Sequence, residues 1–155
     1  MDFNAVTLGD HVPNPCTPEV PEDFQGLRIA APETVVLGED QFAVCGTYRF
    51  PAEFIYSFAN VHWSIVLVAV DAETHWPFAS GLLPPGATPP VEAPPPPHQD
   101  PDWMRNHYIQ RYFNVDLLRF LPEVRERSGA YYVYTLLGHR ASNVVSVQLK
   151  AGEVA

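Results

Sequence analysis

Apolar and polar positions alternate in two runs within residues 129–149, separated by a short polar break. In the first run Tyr131, Val133 and Thr135 alternate with their neighbours, and residues 145–149 repeat the pattern. A period of two is typical of a β-strand, and two such runs joined by a short break predict an antiparallel hairpin. Because an isolated hairpin is marginally stable in water, we expect the rest of the chain to supply strands that cover it.

Five further segments carry strand-like patterns. They are residues 27–38, 41–50, 60–70, 76–83 and 112–120. The third is apolar on both faces, which predicts a central strand covered on both sides by this chain or by a partner. Pro32 interrupts the first, as expected for an edge strand where a missing N–H costs little. Gly46 in the second suggests a β-bulge. With the hairpin, these segments predict about seven strands.

Proline is concentrated in two places. Residues 1–24 show no sustained period, which predicts an extended arm that is either solvated or lies on the domain surface or on a neighbour. Residues 84–101 hold nine of the 17 prolines and predict a polyproline loop inserted into one sandwich domain, residues 25–152. A loop of this length is usually functional or disordered. Asp100 before Pro101 predicts the start of one short helix.

Composition and charge narrow the class of protein. With 155 residues, 46% hydrophobic and 17% charged, the chain fits one globular domain. The net charge of −9 argues against nucleic acid and anionic membranes as partners, since both attract clustered Lys and Arg. The best apolar run, residues 65–70, is too short to cross a membrane, and no secretory signal pattern opens the sequence. We therefore expect a cytoplasmic protein whose partner is a protein or a second copy of itself, with no membrane insertion.

Cys16 and Cys45 could form a disulfide, but two cysteines in a domain of this size do not make a disulfide framework. We therefore expect each to be a small buried or half-buried thiol. A nucleophilic role for Cys45 would need exposure and a nearby base, and its neighbours Val44 and Gly46 favour a packed, inert thiol instead.

Some of these residues resemble those of the immunoglobulin-like superfamily. Residues 128–131 (Ser-Gly-Ala-Tyr) resemble the tyrosine corner that enters strand F, Trp63 stands where the core tryptophan of strand C would be, and Cys45 lies in the candidate strand B. The resemblance covers residues 27–149 and implies an all-β, immunoglobulin-like antiparallel β-sandwich, nearer in style to fibronectin-type domains. Val133 stands near the second cysteine position, so no disulfide between the sheets is implied. Fold resemblance does not carry function with it.

The local motifs of catalysis and cofactor binding are absent from the sequence. It has no P-loop, no dinucleotide glycine fingerprint, no Gly-x-Ser-x-Gly elbow, no His-Glu-x-x-His and no Cys-x-x-Cys. This favours a protein that is not an enzyme, and no cofactor is expected. No two histidines have the local spacing of metal ligands, and Asp71, Glu73 and His75 fall in a predicted turn, so no metal site is expected. Catalytic groups assembled from distant residues stay open.

Two features point to a binding surface. Aromatic residues flank the proline-rich segment, and proline rings pack well on aromatic faces, so this region forms either an intramolecular clasp or a recognition surface. Several strands are also apolar on both faces, which predicts a sheet face covered by the arm, by the loop or by a partner. The candidate interaction residues are Trp76, Phe78, Pro95, Pro96, Trp103, His107, Tyr108, Tyr132 and Tyr134.

These observations support two hypotheses of different classes. The first is a non-catalytic interaction or assembly module that docks on a partner protein or on itself through the arm, the proline-rich loop and the aromatic sheet face. The second is a small-ligand or carbohydrate-binding accessory domain, or a small enzyme, whose groove is lined by Trp76, Trp103, His107 and Tyr108. The second hypothesis requires Trp103 and His107 to share one environment.

Overall fold

The computed structural model describes residues 2–83 and 100–152, in which nine β-strands in two sheets are the main secondary structure, and the predicted all-β class is confirmed. The strands are β1 (Gly26–Ala30), β2 (Thr34–Val36), β3 (Ala43–Pro51), β4 (Ile65–Asp71), β5 (Pro77–Gly81), β6 (Tyr108–Asp116), β7 (Gly129–Leu137), β8 (Arg140–Ala141) and β9 (Val145–Lys150). The helices are α1 (Ala52–Ile55), α2 (Pro101–Asn106) and α3 (Leu117–Phe120), with 3-10 helices at Phe3–Ala5, His62–Ser64 and Pro122–Glu126.

The two sheets differ in size. In the small sheet β3 pairs antiparallel with β1 and β6, and in the large sheet the strand order is β2-β9-β7-β4-β5, with β8 paired to β7. The predicted hairpin is the antiparallel β7–β9 pair. Residues 60–70 supply β4, which lies between β7 and β5 as its two apolar faces predicted.

The chain passes from one sheet to the other at Pro32. Before it, β1 forms one edge of the small sheet; after it, β2 forms an edge of the large sheet and pairs parallel with β9. Both strands are therefore edge strands, as predicted, although Pro32 itself lies in the link between them and belongs to neither strand.

The hydrophobic core lies between the two sheets. Phe50 and Phe113 face it from the small sheet, and Leu67, Tyr131 and Val133 face it from the large sheet, all fully buried. Alternation along each strand sends every second side chain into this layer, which is the arrangement of two sheets packed face to face.

The N-terminal arm covers the outer face of the small sheet. Val6 and Cys16 pack against Ala43 and Cys45 in a second, smaller apolar cluster. The Gln41 side-chain amide donates to the carbonyl oxygens of residues 3, 4 and 6 at 3.0–3.3 Å. This covering explains why β3 is buried on both faces, although its sequence alternates.

Cys16 and Cys45 form a disulfide, which corrects the expectation of two thiols. Their Cα atoms are 5.9 Å apart, within the range that a disulfide spans. The expectation failed because the two residues lie 29 positions apart, and only the docking of the arm on β3 brings them together. The bond joins the arm to the small sheet and does not link the two sheets.

Three local predictions need correction. Residues 112–120 are not one strand: β6 ends at Asp116, whose carboxylate accepts a hydrogen bond from the Leu118 N–H at 3.1 Å and caps α3. The predicted strand of residues 60–70 begins only at Ile65, so Trp63 lies in a 3-10 helix, half-buried. Gly46 makes no bulge, since its pairing with both neighbouring strands is regular; its missing Cβ leaves room for the ring of Phe113.

The predicted helix start is confirmed. The α2 helix begins at Pro101, and the Asp100 carboxylate accepts a hydrogen bond from the Asp102 N–H at 3.0 Å. The described residues contain two more α-helices than the one predicted, because α1 and α3 are single turns of four residues that leave no helical period in the sequence. None of the helices in the described residues is long and apolar enough to cross a membrane.

The remainder of the proline-rich segment, residues 84–99, lies outside the described residues. Two of the candidate interaction residues, Pro95 and Pro96, fall within it.

Candidate docking face and cleft

The outer face of the large sheet carries a block of uncharged side chains, three rows deep across β5, β4 and β7. The rows follow from the strand register. They are Pro77–Val70–Tyr132, Ala79–Val68–Tyr134 and Gly81–Val66–Leu136. A sheet face of this kind is normally polar where water covers it, so an uncharged block three strands wide marks a candidate docking face.

Tyr132 and Trp76 are the most exposed large side chains at this docking face. Tyr132 is 44% exposed, whereas Val68 at the centre of the block is buried. Trp76, 61% exposed, immediately precedes the block at Pro77. Aromatic side chains of this kind supply much of the binding energy at protein interfaces because they bury a large area with few rotatable bonds.

The turn that presents Trp76 is held by Asp71. Its carboxylate accepts hydrogen bonds from the N–H groups of Glu73 at 2.9 Å and Thr74 at 3.1 Å. The bonds from Thr74 and then Glu73 lower the pKa of Asp71, because they favour its charged form. Asp71 therefore orders the turn. In the described residues, no group of three or more His, Cys, Asp or Glu side chains is placed to hold a metal ion.

A second aromatic cluster lies on the other sheet. The rings of Trp103 and His107 stack with centroids 4.2 Å apart and planes 14° from parallel, so the two residues do share one environment. The guanidinium of Arg49 lies over the ring of Tyr108 at 4.3 Å. The α2 helix that carries Trp103 contacts α1 and β3 of the small-sheet side.

The sequence-predicted residues thus divide into separate groups. Tyr132 and Tyr134 share the docking face, with Trp76 at its end, whereas Trp103, His107 and Tyr108 belong to the cluster near α2. Phe78 faces inward, opposite Ala69, and packs against the core.

A cleft between the arm and the end of β6 was not predicted from the sequence. Its volume is about 390 Å³, and it is lined by His11 of the arm and by His62, whose ring centroids are 3.8 Å apart and whose planes are nearly perpendicular. A second cavity of about 310 Å³ lies beside the same two histidines. No sequence spacing points to this pair, because the contact depends on where the arm docks.

Burial sets the charge state of His62. Desolvation, and then the proximity of His11, lower its pKa to about 4, so the imidazole is neutral at pH 7. Its Nδ1 is buried and makes no hydrogen bond with any described residue.

The cleft also contains charged groups. Asp10 and Asp116 contribute carboxylates, Arg119 contributes a guanidinium, and Trp63 and Phe120 contribute aromatic rings. The Asn114 side chain connects the arm to this site by donating to Asp10 Oδ1 at 2.6 Å and to the Val12 carbonyl at 2.8 Å.

Comparisons of this chain with protein-family models, with curated proteins and with solved structures find no match.

Proposed function

We propose that this chain is a non-catalytic protein-interaction module, an immunoglobulin-like sandwich that docks through the outer face of its large sheet. A second copy of the chain is the simplest partner. The observation that carries the proposal is the block of three uncharged rows across β5, β4 and β7 on a chain with a net charge of −9. A partner that supplied an apolar face would remove this block from water.

Two features support the immunoglobulin-like part of the proposal. The strand orders β1-β3-β6 and β9-β7-β4-β5 correspond to A-B-E and G-F-C-C′ of that fold. The Tyr131 hydroxyl donates to the Arg127 carbonyl at 2.6 Å, the hydrogen bond expected of a tyrosine corner. The departures are the position of Trp63 before its strand and a disulfide that joins Cys45 to the arm.

The size of the block indicates the strength of docking. With strands about 4.8 Å apart and same-face residues about 6.8 Å apart, its Cα positions span about 10 by 14 Å. Including side chains, this is on the order of 300 Å², whereas a stable interface buries about 800 Å² on each partner. The block is therefore the centre of an interface whose rim adds polar contacts, and we expect weak, concentration-dependent association.

The test is the solution mass of the full chain, measured by light scattering over a range of concentrations. We expect the mass to rise above that of one chain, and Tyr132→Glu to return it to one chain because a carboxylate would be buried within the interface. Val144→Glu is the matched control, since Val144 is also exposed but follows β8 outside the block. A mass of one chain throughout, or equal effects of the two variants, would contradict docking on a second copy.

The second candidate function is ligand binding at the cluster near α2. It is favoured by the Trp103–His107 stack, with Trp103 still 37% exposed. A sugar or small aromatic ligand would have to bind the outer face of the stack, because each ring already covers one face of the other. Trp76 lies in the β4–β5 turn of the large sheet, so the groove would lack one of its four predicted residues.

A further inference from the structure

The cleft around His11 and His62 has the properties of a preformed binding site. The disulfide between Cys16 and Cys45 fixes the arm that forms one wall. The Gly9 N–H donates to the Asn114 carbonyl at 2.6 Å and holds the same wall against β6. A cleft whose walls are fixed before binding loses little conformational entropy when a ligand enters.

The cleft offers more hydrogen-bond acceptors than it can satisfy itself. Asp10 uses Oδ1 to accept from Asn114, and Asp116 uses Oδ1 to accept from the Leu118 N–H. Within the described residues, neither Oδ2 accepts a hydrogen bond. Arg119 forms no ion pair with either carboxylate, since the ion pair found among the described residues joins Arg105 to Asp102.

The charges of the cleft favour a cation. Two carboxylates and one guanidinium line the cleft, and His62 adds no positive charge at pH 7 because burial keeps it neutral. The aromatic rings of Trp63 and Phe120 also line the cleft, and the faces of such rings attract organic cations. The Arg119 guanidinium already lies over the Phe120 ring, 6.0 Å from its centroid, so Trp63 is the ring considered for a ligand. The net charge of −9 on the whole chain also attracts cations over longer distances.

A metal ion does not fit the histidine pair. A metal needs about 2.0 Å to each ligating nitrogen, and two rings with centroids 3.8 Å apart and perpendicular planes leave no such space between them. A ligand of this cleft must instead match separated carboxylates and an apolar wall.

We infer that the cleft binds a small organic cation, a primary ammonium or guanidinium group carried on an apolar or aromatic body. The cationic group lies between Asp10 and Asp116, and the body lies against Trp63. This site is independent of the docking face, so neither proposal rests on the other.

The test uses three probes of one shape and different charge: benzylammonium, benzyl alcohol and benzoate. Each is titrated into the full chain while the indole N–H signal of Trp63 is followed by NMR. We expect benzylammonium to bind with a Kd of about 1 mM, as a ligand of this size allows, and the other two to bind at least about tenfold more weakly. Equal responses to the three probes would overturn the inference.

Variants locate the site and separate binding from folding. Asp10→Asn and Asp116→Asn keep the acceptor oxygens that the fold uses, and each should weaken benzylammonium binding about five- to tenfold. Asp23→Asn, an exposed change of the same kind in the arm, is the matched control and should have no effect. Arg119→Gln removes the opposing cation from an exposed position and should strengthen binding. Unchanged affinity in these three cleft variants would overturn the inference.

Discussion

Individual residues in this fold are constrained by neighbours that are distant in sequence. Gly46 shows this most clearly, because it pairs with Phe113 across the small sheet and the Phe113 ring occupies the space of a Cβ atom. The sequence suggests a bulge at this glycine, since a lone glycine in a strand usually marks one. The Phe113 ring, which explains the need for a glycine at position 46, lies on another strand, so the local sequence pattern does not reveal it.

We therefore expect Gly46→Ala to destabilise the protein by about 1–3 kcal/mol or more, the usual cost of overpacking a core. Both residues are in the buried interior, so neither can move into solvent. The free energy of unfolding in denaturant measures the effect. Gly81→Ala is the control, because a Cβ there meets only the Trp63 and Ile65 carbonyl oxygens at ordinary contact distances of 3.6 and 4.0 Å. Equal losses in the two variants would contradict this explanation.

His62 makes stability depend on pH. Unfolded, it binds a proton with the ordinary pKa of 6.5; folded, its pKa is about 4. Between these values the unfolded state binds more protons, so the contribution of His62 to stability is complete above pH 6.5 and is lost as the pH falls toward 4. Replacing His62 by Gln should flatten this part of the curve of unfolding free energy against pH.

The exposed His75 provides the control for this measurement. His75→Asn should leave the slope between pH 6.5 and 4 unchanged, because the side chain lies in solvent and Asn tolerates its positive φ of 61°. If His62→Gln retained the full slope, the loss of stability in acid would have to come from carboxylates elsewhere.

At the scale of elements, the arm is the segment that depends most on tertiary structure. It has no periodicity of its own, yet it buries the outer face of β3 and forms one wall of the cleft. Its attachment combines the disulfide with hydrogen bonds from the side chains of Gln41 and Asn114. Because these attachments are separate from the core between the sheets, we expect the arm to be released without unfolding of the two sheets.

Reduction of the disulfide should loosen the arm first. The closed loop spans a sequence separation of 29, for which the chain-entropy model gives a loss of about 3–4 kcal/mol in unfolding free energy. Hydrogen exchange at the Gly9 N–H should speed up on reduction more than exchange at Val133 in β7. A Cys16→Ala, Cys45→Ala double variant should not respond to reductant. Equal acceleration at both sites would mean that the arm and the sheets open together.

At the scale of the whole molecule, charge and apolar surface act in opposite directions. The net charge of −9 makes two copies repel each other, while the uncharged block on the large sheet favours their contact. Salt screens the repulsion between the two copies but not the apolar contact, since the Debye length falls from about 30 Å at 0.01 M salt to about 10 Å at 0.1 M.

Self-association through the docking face should therefore strengthen with salt. We expect the apparent Kd from sedimentation to fall severalfold between 0.01 M and 0.1 M sodium chloride, with the repulsion screened and the apolar contact intact. Binding of benzylammonium in the cleft should weaken over the same range, because it depends on attraction between opposite charges. Dissociation of the self-associated form by salt would indicate an interface held by ion pairs.

The local pattern of residues was sufficient for much of the fold. Alternation located the β7–β9 hairpin and the central strand β4, Pro32 indicated edge strands, and Asp100 with Pro101 indicated the start of α2. These features depend on side-chain period, on the interruption of a strand by proline and on capping by a carboxylate. Each of these acts over a few neighbouring residues, so each is visible in the sequence.

Contacts between distant segments were decided only by tertiary structure. The Cys16–Cys45 disulfide, the His11–His62 contact and the room that Gly46 leaves for Phe113 all join residues far apart in the chain. The docking face was expected from the excess of apolar side chains, but its rows required the register of three strands. The period and composition of the sequence predict which residues are buried, and only tertiary packing determines which of these residues contact each other.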